Sequence, residues 1–92
     1  MSNYNITAYS YNQAKKLGVT IKPSKTKNKK IDVFRNDKKV ASIGAIGYKD
    51  YPTYMKEDKK LANERRHLYR KRHSNDINNI GTPGYYANKI LW

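Results

Sequence analysis

The sequence predicts a small, single-domain α+β fold in which a β-hairpin, with the option of a third strand, packs against two or three short helices. Three observations predict this class. Residues 31–43 contain two apolar segments around an Asn-Asp pair, residues 58–73 contain no Gly or Pro and many strong helix formers, and residues 82–92 open with Thr-Pro and close with an apolar segment. The 92 residues suffice for one modest core.

The N-terminal segment is expected to stand apart from this core. Residues 1–30 are predicted to form a basic N-terminal arm with a short helix, and residues 31–92 to form the α+β core domain. The helix is placed at Ser10–Leu17, with its first residue as the N-cap, because Gly18 suits the position just after a helix end. Residues 19–21 are the candidate third strand.

Residues 31–43 have the pattern of a β-hairpin. A two-residue turn at Asn36 and Asp37 places Val33 opposite Val40. An Asn-Asp pair is a weaker turn signal than Asn-Gly, so a longer loop remains an alternative.

The segment after the hairpin predicts tight turns and another short helix. Gly44 and Gly47 permit backbone conformations that other residues avoid. Asp50 is a suitable N-cap, and Pro52 suits the first turn of a helix that continues through Tyr54.

Residues 58–73 are predicted to form a strongly basic helix with Asp58 as its N-cap. A projection of 100° per residue gathers the apolar residues on one side, namely Leu61, Ala62, Leu68 and Tyr69. Arg65 and Arg72 fall in the middle of that side, so we expect structural roles for them, with guanidinium groups paired to inward-facing acids or carbonyls. The alternative is that both arginines bind phosphate, each through two hydrogen bonds.

Structural roles are also predicted for Asp50, Tyr69 and Trp92. Asp50 is a helix cap and a possible partner for an inward arginine, and Tyr69 lies on the apolar side of the basic helix. Residues at the end of a chain fray unless something holds them, so we expect Trp92 to dock onto the domain or onto a neighbouring subunit.

Net charge is the strongest compositional signal. Twenty Lys and Arg residues against seven acids leave a formal charge of +13. Such a field attracts polyanions, and we expect sequence-nonspecific binding to nucleic acid, duplex DNA in the first place, through phosphates. The contacts are assigned to Lys59, Lys60, Arg66, Arg70 and Lys71 in the basic helix and to Lys25, Lys27, Lys29 and Lys30 in a lysine-rich loop.

The sequence offers little for metal or covalent chemistry. It has no Cys, and the spacing of its two histidines, His67 and His73, separates them around a helix. We therefore predict no metal site, no cofactor, no small-molecule substrate and no catalytic residue. The second alternative function is a small nuclease, built from Tyr48, Glu64, Arg65 and His73.

Three ordered motifs give the chain a resemblance to a known family. They are Gly-Ala-x-Gly-Tyr-x-Asp-Tyr at residues 44–51, Glu-Arg-Arg-x-x-Tyr-x-x-Arg-His at residues 64–73, and Gly-Tyr-Tyr-Ala with a closing Leu-Trp at residues 84–92. Over residues 31–92 the chain resembles small basic proteins of unknown function encoded by large double-stranded DNA viruses of algae and amoebae. The resemblance implies a viral protein and assigns no catalytic residue.

The resemblance also implies a location, the virion or the interior of the infected host cell. No apolar run could span a bilayer and no signal peptide is recognisable, so we expect a protein that is not secreted and touches membranes peripherally at most. The first alternative function is then a minor capsid protein that binds other virion proteins or the inner membrane surface. The oligomeric state is left open.

Overall fold

The computed structural model describes residues 4–92. In chain order the elements are α1 (Ala8–Leu17), β1 (Thr20–Pro23), β2 (Lys29–Arg35), β3 (Lys38–Ala45), α2 (Tyr51–Glu57), α3 (Lys59–Arg72) and α4 (Pro83–Leu91). The strands form one antiparallel sheet in the order β1-β2-β3. The predicted α+β class is confirmed, the optional third strand is present, and the described residues contain four helices.

Three of the four helices begin where the sequence predicts. Asp50, Asp58 and Thr82 each accept a hydrogen bond from a backbone N–H group in the first turn of the helix that follows. Pro52 and Pro83 stand in the first turns of α2 and α4, where the missing N–H group costs no hydrogen bond. These starts depend on neighbouring residues only, which is why the sequence reveals them.

Helix α1 begins earlier than predicted. Its N-cap is Thr7, whose hydroxyl oxygen accepts from the Ser10 backbone N–H at 3.2 Å. Ser10, the predicted cap, is buried, and its hydroxyl donates to the Ile90 carbonyl oxygen at 2.9 Å. The end of the helix at Gly18 is predicted correctly because it depends only on neighbouring residues. The role of Ser10 depends on the packing of α4 against α1, which the local sequence does not reveal.

The hairpin turn is the predicted two-residue turn. Asn36 and Asp37 have φ values of 52° and 64°, the positive values that a type I′ turn requires at both central positions. A β-bulge next to Val33 then shifts the register by one residue, so that Val33 pairs with Ala41 and not with Val40. The predicted pairing is therefore correct near the turn and wrong beyond the bulge.

The core lies between the sheet and helices α1 and α4. Its buried residues are Ala14, Val19, Ile21, Ile31, Val33, Ala41, Ile43, Tyr86, Ile90 and Leu91. Because residues 14–21 contribute to this core and β1 pairs with β2, the predicted boundary at residue 30 does not divide the structure. Residues 1–3 of the predicted arm lie outside the described residues.

Helix α3 packs against α2. Ala62 is the residue of α3 that is fully buried, and Asn63 accepts a hydrogen bond from the Tyr51 hydroxyl at 3.2 Å. No helix formed by residues 4–92 has both the length and the apolar character needed to cross a bilayer.

Candidate nucleic-acid interface

A groove of about 510 Å³ lies between the β3–α2 loop, helix α3 and the end of α4. We call it the aromatic–basic groove. Its positively charged and imidazole side chains are Lys30, Lys49, Arg65, Arg72 and His73, and its aromatic side chains are Tyr48, Tyr54, Tyr69 and Trp92. Positive charge and ring surface are thus brought together from segments far apart in the sequence.

Arg65 and Arg72 are not the inward-facing residues that the sequence predicts. Both are exposed and stand on the α3 wall of the groove. The Cζ atom of Arg65 lies 5.9 Å from the centre of the Tyr54 ring. Within residues 4–92 neither guanidinium forms an ion pair with a carboxylate, so both charges face the groove without neutralisation.

The prediction is wrong because the buried face of α3 is centred roughly 60° around the helix axis from the predicted apolar side, at about 100° per residue. The residues that are buried or partly buried are Leu61, Ala62, Arg66, Tyr69 and His73, and all of them except Leu61 lie on one narrow helix face. Leu68, which the projection places on the buried side, is 46% exposed.

Arg66 and Arg70, predicted to contact phosphates, instead hold α3 in place. The Cζ atom of Arg66 lies 3.5 Å from the centre of the Tyr51 ring in α2. The Nε of Arg70 donates to Oδ1 of Asn88 at 3.1 Å, and its terminal nitrogen donates to the Trp92 carbonyl oxygen at 3.2 Å. These two arginines therefore connect α3 to α2 and to α4.

This exchange of roles predicts opposite mutational effects from those that the sequence suggests. Arg66→Ala is expected to lower the free energy of unfolding by about 1–2 kcal/mol, because it removes a partly desolvated cation–π contact. Arg65→Ala on the exposed wall should change it by less than about 0.5 kcal/mol. Urea denaturation of both variants measures the difference, and a larger loss for Arg65→Ala would contradict the orientation of α3.

Lys30, also predicted to contact phosphates, is buried under the groove. Its side chain is 5% exposed, and its Nζ lies 3.0 Å from Oδ2 of Asp50. The same ammonium group donates to the backbone carbonyl oxygen of Tyr48. Lys30 is misassigned because it belongs to β2, where its ammonium group meets the loop that carries Asp50, and not to the lysine-rich loop before it.

Asp50 is the centre of this buried network. Besides Lys30, it accepts hydrogen bonds from the Tyr4 hydroxyl at 2.6 Å and from the Thr53 hydroxyl at 2.6 Å. Burial alone would raise the pKa of Asp50, but the hydrogen bonds from Thr53 and Tyr4 and the charge of Lys30 bring this pKa below its ordinary value. Burial, with the bond to Asp50, raises the pKa of Tyr4. The network fixes the loop that forms one wall of the groove.

The opposite wall is built from stacked rings. Tyr69 and Trp92 lie parallel, with ring centres 4.4 Å apart and planes inclined by 8°. The ring centre of His73 lies 4.4 Å from that of Tyr69, and the ring centre of Tyr54 lies 6.3 Å from that of Trp92. Burial raises the pKa of the Tyr69 hydroxyl. Trp92 is thus docked onto the described domain through its ring and through its carbonyl oxygen.

The remaining predicted contact residues are lysines with exposed side chains, Lys25, Lys27, Lys29, Lys59, Lys60 and Lys71. The turn at residues 24–28 is ordered by Asp32, which accepts from the Ser24 hydroxyl at 2.6 Å. The Ile46 N–H donates to the Asn28 carbonyl oxygen at 3.0 Å, so this turn lies at the end of the sheet from which the β3–α2 loop departs. Lys25, Lys27 and Lys29 therefore lie at the end of the sheet that is next to the groove.

The groove also contains part of the nuclease alternative. Tyr48, Arg65 and His73 line it, whereas Glu64 is an exposed residue that does not. In the part of the chain that the structure describes, no cluster of His, Asp and Glu side chains could hold a metal ion. Lys49 is the lining residue that the sequence reasoning misses, although its position next to the cap residue of α2 could have indicated it.

Comparisons with protein-family models, with curated proteins and with solved structures found no match to this chain. The resemblance to viral proteins therefore stays a prediction.

Proposed function

We propose that the protein binds nucleic acid through its phosphates, without enzymatic activity, and that the aromatic–basic groove is the centre of the contact surface. The observation that carries the proposal is the pair of guanidinium groups, Arg65 and Arg72, that face the groove and have no carboxylate partner among residues 4–92. A guanidinium binds phosphate through two parallel hydrogen bonds and keeps its charge at any physiological pH.

The rest of the surface supports the same kind of ligand. The exposed lysines of α3 and of the turn at residues 24–28 add sequence-independent attraction, and the formal charge of +13 raises the local concentration of any polyanion. In the context that the resemblance implies, the complex would form in a virion or in an infected host cell.

The test is a binding titration over a series of salt concentrations, with short duplex and single-stranded DNA. If about five phosphates are neutralised, the logarithm of the binding constant on duplex should fall against the logarithm of the salt concentration with a slope of about −4 to −5. No binding in dilute salt, or a slope near zero, would contradict the proposal and favour the minor capsid protein.

A charge-matched pair of double variants locates the contact. Arg65→Ala with Arg72→Ala should flatten the slope by about two units, because each lost phosphate contact removes about one. Arg35→Ala with Lys38→Ala removes the same charge at the hairpin turn, at the other end of the sheet, and should leave the slope nearly unchanged. Equal losses from both pairs would show that net charge matters and the groove does not.

A further inference from the structure

Resting on the proposed function, we propose that the aromatic–basic groove takes unpaired nucleotides, with a base stacked on the ring of Tyr48 and its flanking phosphates on Arg65 and Arg72. The class of ligand is a single-stranded segment of nucleic acid. The groove would then select unpaired over paired strands, a property that phosphate contacts alone do not confer.

Tyr48 is the first reason. Its side chain is 76% exposed although it lines the groove. Its backbone is nevertheless held on both sides, because its N–H donates to the Ala45 carbonyl oxygen at 3.2 Å and its own carbonyl oxygen accepts from Lys30. The ring is therefore presented to solvent by a fixed turn, and a base can stack on it without first ordering the loop.

The two arginines are the second reason. Arg65 and Arg72 are seven residues apart on one helix, which places their backbones roughly 10 Å apart along its axis. Two long arginine side chains that start from this spacing can converge on the two phosphates that flank one nucleotide. Two lysines also line the groove, but Lys49 is paired with Glu57 at 2.8 Å and Lys30 with Asp50 at 3.0 Å. The charge available to a ligand is therefore concentrated on α3.

The size of the groove is the third reason. A volume of about 510 Å³ falls within the range of roughly 300–1,000 Å³ that is usual for sites holding small molecules. A duplex presents the edges of its bases in its grooves and keeps their faces stacked inside. A base face therefore reaches Tyr48 only when the nucleotide is unpaired.

The experiment uses the full chain and an oligothymidylate, which forms no internal pairs, beside a duplex of equal length. Trp92 is the sole tryptophan of the sequence and lines the groove, so its fluorescence reports occupancy. We expect the oligothymidylate to change this fluorescence. Tyr48→Ala should weaken its binding by about 10-fold, since an alanine substitution removes the stacking contact with one base. Tyr48→Phe should bind as the natural protein does, and duplex affinity should be the same for all three.

Tyr11→Ala is the matched control, because Tyr11 is 51% exposed on α1 and is not part of the groove. It should leave both affinities unchanged. The stacking inference is wrong if Tyr48→Ala weakens the binding of duplex and single strand equally, or if it weakens the binding of neither. Salt-dependent binding would in that case still support the proposed function. If, in a competition assay, an acidic peptide displaces bound oligothymidylate at the same concentration as unlabelled oligothymidylate does, that result also contradicts the inference. If neither nucleic acid binds in dilute salt, the proposed function itself fails.

Discussion

Replacing Lys30 by methionine is expected to lower the free energy of unfolding by about 3–5 kcal/mol, the usual loss when one partner of a buried ion pair is removed. The side chain of Asp50 is 1% exposed and lies 3.0 Å from the Lys30 ammonium group. Methionine keeps much of the aliphatic length of Lys30 but leaves the carboxylate without its cation. The variant therefore separates the effect of charge from that of packing.

Lys29→Met is the control, because Lys29 adjoins Lys30 in β2 but is exposed. It should change the free energy of unfolding by less than about 0.5 kcal/mol. Urea denaturation at neutral pH measures both variants. Similar losses for the two, or no loss for Lys30→Met, would contradict the buried pair.

The same comparison across pH tests the cause. The folded-state pKa of Asp50 lies below its ordinary value, partly through the charge of Lys30. A depressed carboxyl pKa contributes stability that is complete above the unfolded pKa of about 3.9 and is lost as the pH falls through the folded pKa. Without Lys30 the folded-state pKa of Asp50 should be higher, so the difference between the natural protein and Lys30→Met should be largest near neutral pH and should shrink as acid protonates Asp50, first in the variant. If the difference in the free energy of unfolding did not depend on pH, lost packing and not lost charge would be its cause.

Gly44→Ala is expected to destabilise the protein by about 2–5 kcal/mol, since two costs add at this position. The φ value of Gly44 is +79°, in the left-handed region that disfavours a side chain. An added Cβ would also lie 2.8 Å from Cδ1 of Leu91 and 2.9 Å from Cδ of Lys30. Leu91 and Lys30 are both buried, so a shift of either side chain would disturb the core packing or the ion pair with Asp50.

Gly47→Ala separates these two costs. Its φ value is +93°, but among the described residues no heavy atom outside its chain neighbours lies within 4 Å of the added Cβ. This variant should lose only the backbone term, about 1–2 kcal/mol. Thermal melts of the two variants in one buffer give the comparison. A loss for Gly44→Ala no larger than that for Gly47→Ala would show that the contact with Leu91 is easily relieved.

Local chemistry in the sequence determines several parts of the fold. Asp58 and Thr82 begin their helices because a side-chain oxygen next to a free N–H group is a cap in any surroundings. The Asn36-Asp37 turn forms for a similar reason, since these residues tolerate positive φ values better than most. In each case the deciding interaction spans a few residues, so no knowledge of the rest of the chain is needed.

Tertiary structure alone decides which cations are free. Arg66 turns inward because the Tyr51 ring can cover a guanidinium, and this choice rotates Arg65 and Arg72 outward into the groove. A helical projection counts every arginine as polar and every leucine as apolar, so it cannot foresee a charged side chain packed on a ring from another helix. Lys30 differs from its lysine neighbours for the same kind of reason. Its partner Asp50 is twenty residues away in sequence, and only the folded sheet brings the two together.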